Sequence, residues 1–187
     1  MSAAAPRQHR LFFALWPRPP QQQQLSEAAA SVLGRIPGAR AVPPGNLHLT
    51  LAFLGSVSAT ALAPLRELAA GARLSGLAPA QALELTLDQL QYWPRAKLVC
   101  AVPGTAPEAL AGCAQRLTVA LIEGGFRPDL KPFRAHVTLA RQVERAPSSL
   151  AMPAVRWAFD DFALIESRTD PGGSLYSVVD SWPLYGA

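Results

Sequence analysis

Two short segments of the sequence carry the same pair of polar residues in the same order. Residues 46–55 read NLHLTLAFLG and residues 135–141 read AHVTLAR, so each has a histidine followed two positions later by a threonine. Imidazole transfers protons near neutral pH because its ordinary pKa is about 6.5. A threonine hydroxyl can donate a hydrogen bond to an oxygen that gains negative charge. His48, Thr50, His136 and Thr138 are therefore the candidate catalytic residues.

Both pairs lie in segments that alternate between apolar and polar residues, as strands do. Residues i and i+2 of a strand point to the same face, so each histidine points with its threonine. If both strands face one cleft, one imidazole can act as a base while the other acts as an acid. That set of groups suits metal-free phosphoryl transfer on a phosphodiester and predicts a bell-shaped pH profile. A histidine that only stabilises a sheet is the alternative for either motif alone, and the repetition argues against it.

The sequence around the two motifs is also repeated. Leu11 precedes His48 by 37 residues and Leu98 precedes His136 by 38, and each interval contains a strand, a helix and a second strand. A period of this length does not fit a solenoid, whereas it fits a duplicated unit. We therefore expect an α+β, bilobal fold with two mainly antiparallel sheets related by a pseudo-two-fold axis, helices outside and a central cleft.

Patterning and turn residues predict the elements of each half. The N-terminal arm, 1–9, is expected to be disordered, and residues 10–187 are expected to form a single domain. Lobe 1 is expected at about 10–96 and lobe 2 at about 97–187. The two lobes could exchange their terminal strands. Ser58 or Thr60 is expected to cap the second helix, and Thr105 with Glu108 to form a capping box on the third. The predicted strands are 10–15, 46–55, 82–93, 97–102, 135–141 and a hairpin of 157–168 with 174–182; the predicted helices are 22–35, 60–73 and 105–123.

Composition limits the function classes. Of 187 residues, 50% are hydrophobic and 16% are charged, as in a globular protein, and no apolar run has the roughly 18 residues that a membrane span needs. The start of the chain does not resemble a signal peptide. The net charge of +4 and a pI near 9.6 fit an anionic substrate or RNA. Cys100 and Cys113 are expected to be buried free thiols, which favours the cytoplasm.

Zinc is the alternative use of the histidines. It usually takes three or four protein ligands, and neither motif has a further histidine, cysteine or carboxylate nearby. The third histidine, His9, falls in the N-terminal arm and is expected to be solvated. The sequence therefore predicts neither a metal nor another cofactor.

The two motifs, HLTL at 48–51 and HVTL at 136–139, resemble those of the 2H phosphoesterase superfamily. RLFFALWP, NLHLTLAFLG and PFRAHVTLAR are more closely similar to the bacterial RNA 2′,3′-cyclic phosphodiesterase (2′-5′ RNA ligase-like) family, from about Arg10 to Leu184. The resemblance implies an enzyme that opens RNA 2′,3′-cyclic phosphate ends to 2′-phosphates without metal. The expected partner is such an RNA end or a small cyclic nucleotide, with no membrane, and the protein is expected to be a monomer. It also implies that His48 is the proton donor and His136 the acceptor, while Thr50 and Thr138 hold phosphate oxygens. The near-symmetry of the sequence leaves the two histidine roles open.

Further positions match residues of that family near the nucleotide. The resemblance implies base stacking for Phe13 and Phe53 and a phosphate contact for Arg141. Strict alternation points Phe53 and Arg141 away from the cleft, unless a bulge at the strand end re-aims them. Core packing is the alternative for Phe13.

Four further positions need separate expectations. Tyr176 and Trp93 are expected in the core or at the rim of the cleft. Ala135 stands where the family usually has proline, and Arg134 beside it is either a phosphate contact or a solvated strand-end residue. The motifs leave two other functions open: a non-catalytic nucleotide- or RNA-binding module on the same cleft, and a 2′,5′-phosphodiesterase or RNA ligase.

Overall fold

Two antiparallel sheets position the site. The computed structural model describes residues 8–34, 36–71, 83–147, 151–171 and 173–184. The strands within this part of the chain are β1 (Gln8–Leu15), β2 (Arg40–Ala41), β3 (Leu49–Ser58), β4 (Leu83–Trp93), β5 (Leu98–Val102), β6 (Val137–Arg141), β7 (Ala151–Phe159), β8 (Asp161–Asp170) and β9 (Gly173–Pro183). The first sheet has the order β3-β1-β8-β9, and the second has the order β2-β6-β5-β4-β7. The predicted α+β class with antiparallel sheets is confirmed.

Helices α1 (Pro19–Leu33), α2 (Leu62–Gly71) and α3 (Glu108–Glu123) cover these sheets. Helix α1 begins with two prolines, which fit the first turn because its amide groups have no helical partner. Its main contacts are with β7, whereas α3 packs against β3 and α2. The buried residues of α3 recur at helical spacing and give it one apolar face: Leu110, Cys113, Ala114, Leu117 and Leu121.

The repeat predicted from the sequence is visible as two strand–helix–strand units. In the first, β1 and β3 are paired neighbours connected through α1; in the second, β5 and β6 are paired neighbours connected through α3. The sheets nevertheless draw strands from both halves of the chain. Hairpin β8–β9 completes the first sheet, and β2 and β4 belong to the second. A boundary near residue 96 therefore does not separate the two sheets.

The predicted hairpin near the C-terminus is confirmed, but its first strand is shorter than expected. The segment 157–168 is divided at Asp160, so Trp157 belongs to β7 and pairs with Leu85 of the second sheet. Strand β8 starts at Asp161 and pairs with both β1 and β9. The carbonyl of Asp160 accepts a hydrogen bond from the Leu184 amide at 2.7 Å, which anchors the chain where it passes between the sheets.

The expectation for the N-terminal arm is wrong at its last two residues. Gln8 and His9 belong to β1, while residues 1–7 lie outside the described part of the chain. His9 is not solvated: its side chain is 14% exposed, and its Nδ1 lies 2.7 Å from Oε1 of Glu166. Arg168 donates to the other carboxylate oxygen at 2.8 Å. A carboxylate at the edge of the core needs such partners, and they hold His9 in place.

One of the two predicted helix caps is present. The hydroxyl of Ser58 accepts a hydrogen bond from the Thr60 amide at 3.4 Å, at the start of the 3-10 turn that leads into α2. The capping box at 105–108 is wrong: α3 begins at Glu108 after Pro107, with no side-chain cap. The predicted positions 35, 72, 73 and 82 lie outside the described residues. Within the described part, no helix is long and apolar enough to cross a membrane.

Candidate active site

A cleft of about 570 Å³ lies between the two sheets. Both histidine–threonine pairs line it, and the nearby lining includes arginines but, among the described residues, no carboxylate. The full lining is Arg10, Phe12, Arg40, Ala41, Val42, Pro43, Asn46, His48, Thr50, Phe53, His136, Thr138, Arg141, Gln142, Ser167, Thr169, Gly173, Ser174 and Tyr176. The four residues predicted to be catalytic are thus brought together from two different sheets.

The two histidines are held by the same local contact. Nδ1 of His48 donates to the carbonyl of Asn46 at 2.7 Å, and Nδ1 of His136 donates to the carbonyl of Arg134 at 2.7 Å. A carbonyl oxygen only accepts, so the proton of each neutral imidazole is on Nδ1. Nε2 of each ring then carries the lone pair that can take up a proton.

Aromatic side chains bury His48. The centroid of its ring lies 4.8 Å from that of Phe12, 5.8 Å from that of Trp16 and 5.2 Å from that of Tyr176. This burial lowers the pKa of His48 to about 4, against the opposing effect of the Asn46 carbonyl. The positive charge of Arg141 also lowers this pKa. His48 is therefore neutral near pH 7 in the ligand-free protein.

His136 has a less enclosed aromatic environment. The centroid of its ring lies 4.6 Å from that of Trp93, which the sequence placed in the core or at the rim. Burial lowers the pKa of His136, and the hydrogen bond to the Arg134 carbonyl opposes that shift. A neutral imidazole at this position can accept a proton.

Strands β3 and β6 begin one residue after His48 and His136, and each has an irregularity directly after its threonine; β3 has a second one at Leu54. In the β1–β3 register, Ala14 pairs with Thr50 and Phe13 with Ala52, so Leu51 is passed over. In the β5–β6 register, Cys100 pairs with Thr138 and Val99 with Ala140, so Leu139 is passed over. An extra residue of this kind moves the side chains that follow it to the opposite face of the sheet.

The irregularities place the fifth residue after each histidine in the cleft. Phe53 lines the cleft together with Thr50, and Arg141 lines it together with Thr138. Strict alternation would point both side chains away from the cleft, and the bulge that was expected as the exception is present in both strands. The guanidinium of Arg10 lies over the Phe53 ring, 5.1 Å from its centroid.

Phe13 does not occupy the place that the resemblance implied. Its side chain is fully buried in the core against Phe162 and Trp182, with ring centroids 5.9 and 6.0 Å away. Its neighbour Phe12 points to the opposite face of β1 and lines the cleft. Alternation in RLFFAL could have assigned Phe12 to the polar face, because Leu11, Phe13 and Leu15 form the apolar one.

Of the remaining candidate residues, some line the cleft and others do not. Tyr176 lines the cleft, whereas the side chain of Arg134 is not part of the lining. Arg10 and Arg40 are lining residues that the sequence reasoning missed. Arg10 could have been found, since it precedes Phe12 by two positions in the same strand. Arg40 belongs to β2, a two-residue strand that the sequence did not predict because residues 36–45 carry no recognisable pattern.

The thiol of Cys100 is next to one of the two threonines. Its Sγ lies 3.9 Å from Oγ1 of Thr138, and burial raises the pKa of Cys100 to about 11. The thiol therefore stays protonated and can donate weakly to the hydroxyl, which leaves the hydroxyl proton for a ligand. Both cysteines are buried and free, as predicted. Among the described residues, no three His, Cys, Asp or Glu side chains form a group that could hold a metal ion.

The class of protein is defined by a family match that spans both histidine–threonine pairs. The sequence matches the family described as LigT like Phosphoesterase over residues 15–99, which include His48, and over residues 101–176, which include His136. The chain belongs to this family.

Named relatives agree with the family match. The RNA 2′,3′-cyclic phosphodiesterase of Escherichia coli (strain K12) is 32% identical over 94% of this chain and 96% of its own length. The protein of the same name from Thermus thermophilus is 32% identical over 95% of this chain and 91% of its own length. The crystal structure of E. coli LigT complexed with 3′-AMP has a TM-score of 0.83 and 30% identity, and covers 95% of this chain and 99% of that chain.

Proposed function

We propose that this phosphodiesterase hydrolyses the 2′,3′-cyclic phosphate at RNA ends to a 2′-phosphate, without a metal ion. The observation that carries the proposal is the pair of imidazoles, each anchored through Nδ1, that line one cleft with two threonine hydroxyls. The names of the E. coli and T. thermophilus relatives support the substrate class. An RNA cyclic end is also anionic, which suits a lining with arginines and no described carboxylate.

The proposed reaction is an in-line displacement at phosphorus. Nε2 of His136 takes a proton from a water molecule, and the water oxygen attacks the phosphorus. The bond from phosphorus to the 3′ oxygen breaks, and His48 donates a proton to that oxygen. The products are a 2′-phosphate and a free 3′ hydroxyl, so atoms and protons balance.

The other polar groups stabilise charge in this scheme. Thr50 and Thr138 donate hydrogen bonds to the non-bridging oxygens, and Arg141 adds a positive charge beside them. His48 must be protonated to act as the donor, although burial holds its pKa near 4 in the ligand-free protein. The negative phosphate favours the imidazolium and raises that pKa when substrate is bound. The opposite assignment of the two histidines is the alternative.

The decisive experiment replaces each histidine in turn and measures turnover of a 2′,3′-cyclic nucleotide. His48→Ala and His136→Ala are each expected to lower kcat by about 10² to 10⁴-fold, since each removes a proton-transfer group. His9→Ala is the matched control: His9 bonds to Glu166, does not line the cleft, and its loss should leave kcat within about twofold. Thermal melting checks that each variant is folded.

The product and the metal dependence test the remaining parts. A 2′-phosphate product and full activity in EDTA are expected, whereas a 3′-phosphate product refutes the proposed bond choice. Full activity of either folded histidine variant refutes the mechanism. Binding of 2′-phosphorylated nucleotides with no turnover would instead identify a binding module, and cleavage or joining of 2′,5′-linked oligonucleotides would identify the third function. A monomer in the cytoplasm completes the proposal, and size-exclusion chromatography tests the monomer.

A further inference from the structure

The charges around His136 do not favour a proton on its ring. In the proposed reaction this imidazole takes a proton from water and becomes a cation. Among the described residues, the cleft lining contains cationic groups but no carboxylate. The titratable groups around it are Arg10 of β1, Arg40 of β2, His48 just before β3, Cys100 of β5, Arg141 of β6 and Tyr176 of β9. Within the protein, the positive ring must therefore be stabilised by groups without a full negative charge. The carbonyl of Arg134, 2.7 Å from Nδ1, is one such group.

Trp93 brings an aromatic ring to His136. The centroid of its ring lies 4.6 Å from that of the imidazole, with 50° between the two planes. Trp93 is the last residue of β4. Gln91, two positions earlier, pairs with Cys100, which in turn pairs with Thr138. Paired residues of neighbouring strands have their side chains on one face, so Trp93 lies on the face of the second sheet that carries Thr138.

The indole of Trp93 offers its π system to His136, because its N–H has another partner. Nε1 donates to Oε1 of Gln91 at 3.2 Å. The side chain of Trp93 is half-buried and is not part of the cleft lining. An effect of Trp93 on the reaction therefore passes through His136 rather than through a contact with the substrate.

An aromatic ring favours the protonated form of a neighbouring imidazole. The face of the ring carries partial negative charge and attracts a cation within about 6 Å of the ring centroid, most strongly in tryptophan. The contact between Trp93 and His136 is within that range. Burial acts in the opposite direction, because it penalises the charged form and lowers the pKa of His136. The two effects have opposite signs, so a suitable pair of substitutions separates them.

We propose that Trp93 is a positioning residue that stabilises the imidazolium of His136 through a cation–π contact. This role rests on the proposed function, because the contact matters to the reaction only if His136 carries a proton during it. Trp16 provides a comparison at the other histidine. Its ring lies nearly parallel to that of His48, with 14° between the planes and 5.8 Å between the centroids.

The test titrates His136 directly in two variants of Trp93. Trp93→Phe keeps an aromatic face, whereas Trp93→Leu replaces it with an aliphatic side chain that covers His136 to a similar extent. NMR of the imidazole Cε1 protons, with His136→Gln to assign the signal, gives the pKa of His136 in each variant. This pKa is expected to be lower in Trp93→Leu than in Trp93→Phe by about 0.5 or more. Thermal melting checks that both are folded, and Trp93→Tyr with Trp93→Met forms a second such pair.

Kinetics connect the contact with the reaction. The pH dependence of kcat/KM for uridine 2′,3′-cyclic phosphate reports the pKa values of the catalytic groups in the free protein. With His136 as the base, the acidic limb of this profile should lie at lower pH in Trp93→Leu than in Trp93→Phe. On the plateau, kcat/KM should be about two- to fivefold lower in Trp93→Leu. Trp16→Leu is the matched control, because it removes a tryptophan beside the other histidine and should leave the NMR titration of His136 unchanged.

The outcomes separate this role from the function beneath it. Equal pKa values of His136 in Trp93→Leu and Trp93→Phe refute the contact, because burial alone would then explain the environment of His136. A shift of the His136 titration in Trp16→Leu as large as that in Trp93→Leu refutes it as well. The expected NMR difference without hydrolysis of any 2′,3′-cyclic nucleotide supports the contact and refutes the proposed function. If the alkaline limb moves instead of the acidic one, the contact is supported and His136 is the proton donor.

Discussion

The two halves of the cleft have the same backbone features around their histidine–threonine pairs, but they differ in the side chains that these features place in the cleft. Both halves hold a histidine by the carbonyl two residues earlier, and both insert one extra residue after the threonine. At the position that this bulge turns into the cleft, the first half has Phe53 and the second has Arg141. In the proposed mechanism, the equivalent residues are those that the reaction uses in pairs. The residues that differ are those to which the proposal assigns the base and the phosphate.

The two histidines also differ in the side chains that surround them. Three aromatic rings contact His48, whereas the ring contact of His136 is with Trp93. Burial lowers the pKa of both, and for His48 to about 4. In the proposed function, the aromatic rings near His48 suit the apolar base of a nucleotide, and the arginines of the lining suit its anionic phosphate.

The first prediction tests the equivalence of the two threonines. Thr50→Val and Thr138→Val keep the side-chain shape and remove one hydroxyl donor each, so each should lower kcat by about 10² to 10³-fold. Thr118→Val on α3 is the control, because its hydroxyl bonds to the Ala114 carbonyl away from the cleft. Steady-state kinetics on a 2′,3′-cyclic nucleotide measures the effect. A loss confined to one threonine would break the comparison.

The second prediction concerns stability and the burial of His48. Its folded pKa of about 4 lies below the ordinary 6.5, so the unfolded chain binds more protons between these values and stability falls as pH falls from 6.5 to 4. The loss attributable to His48 is about 3 kcal/mol at pH 4 and is absent above pH 7. Urea unfolding of the unaltered protein and of His48→Gln measures it.

The variant should show a clearly flatter pH dependence than the unaltered protein. His136→Gln is the comparison, and we expect it to flatten the curve less because fewer rings bury His136. Identical curves for His48→Gln and the unaltered protein would contradict the burial argument.

The third prediction separates the two residues that the bulges turn into the cleft. Arg141→Ala should lower kcat/KM by about 100-fold, because it removes a charge beside the phosphate. Phe53→Ala should lower it by about tenfold through KM, the effect of one lost base-stacking contact. Kinetics with cyclic nucleotides that carry different bases measures both. An Arg141 effect that depends on the base, or a Phe53 effect on kcat alone, would reverse the two assignments.

The fourth and smallest prediction concerns the carbonyls that hold the histidines. Asn46 also uses its side chain, whose Nδ2 donates to the Ser174 carbonyl at 2.7 Å and ties the first motif to hairpin β8–β9. Asn46→Ala should therefore lower kcat by about fivefold, the effect of one lost hydrogen bond. Arg134→Ala keeps the carbonyl that holds His136 and should change kcat less than twofold. Equal effects in the same kinetic assay would show that the Asn46 side chain does not matter.

The sequence was sufficient to place both histidine–threonine pairs in one cleft, because their positions depend on short-range rules. Alternation by two placed Thr50 with His48, and the repeat brought in the second pair. The same rule failed at Phe53 and Arg141, because a bulge depends on how the partner strand pairs rather than on the strand's own residues. The place of Arg40 in the cleft could not be predicted for a similar reason, because it depends on a two-residue pairing with β6.

The division into lobes could not be derived from the sequence either. Residues 151–159 join the second sheet and residues 161–170 join the first, and the local pattern of WAFDDFAL gives no sign of that change. Strand order is a property of the whole chain, in which partners far apart in sequence compete for the same edge.

The strand exchange has a consequence for biosynthesis. Tyr176, which packs on His48, and the two strands that widen the first sheet are made last, because β8 and β9 follow every other described strand along the chain. A nascent chain is synthesised from its N-terminus, so all strands of the second sheet are available before the first sheet receives hairpin β8–β9. The cleft is thus completed only after β9 has been synthesised. For the same reason, a gene fragment that stops before β8 would encode His48 without Tyr176 and the two strands that complete the first sheet.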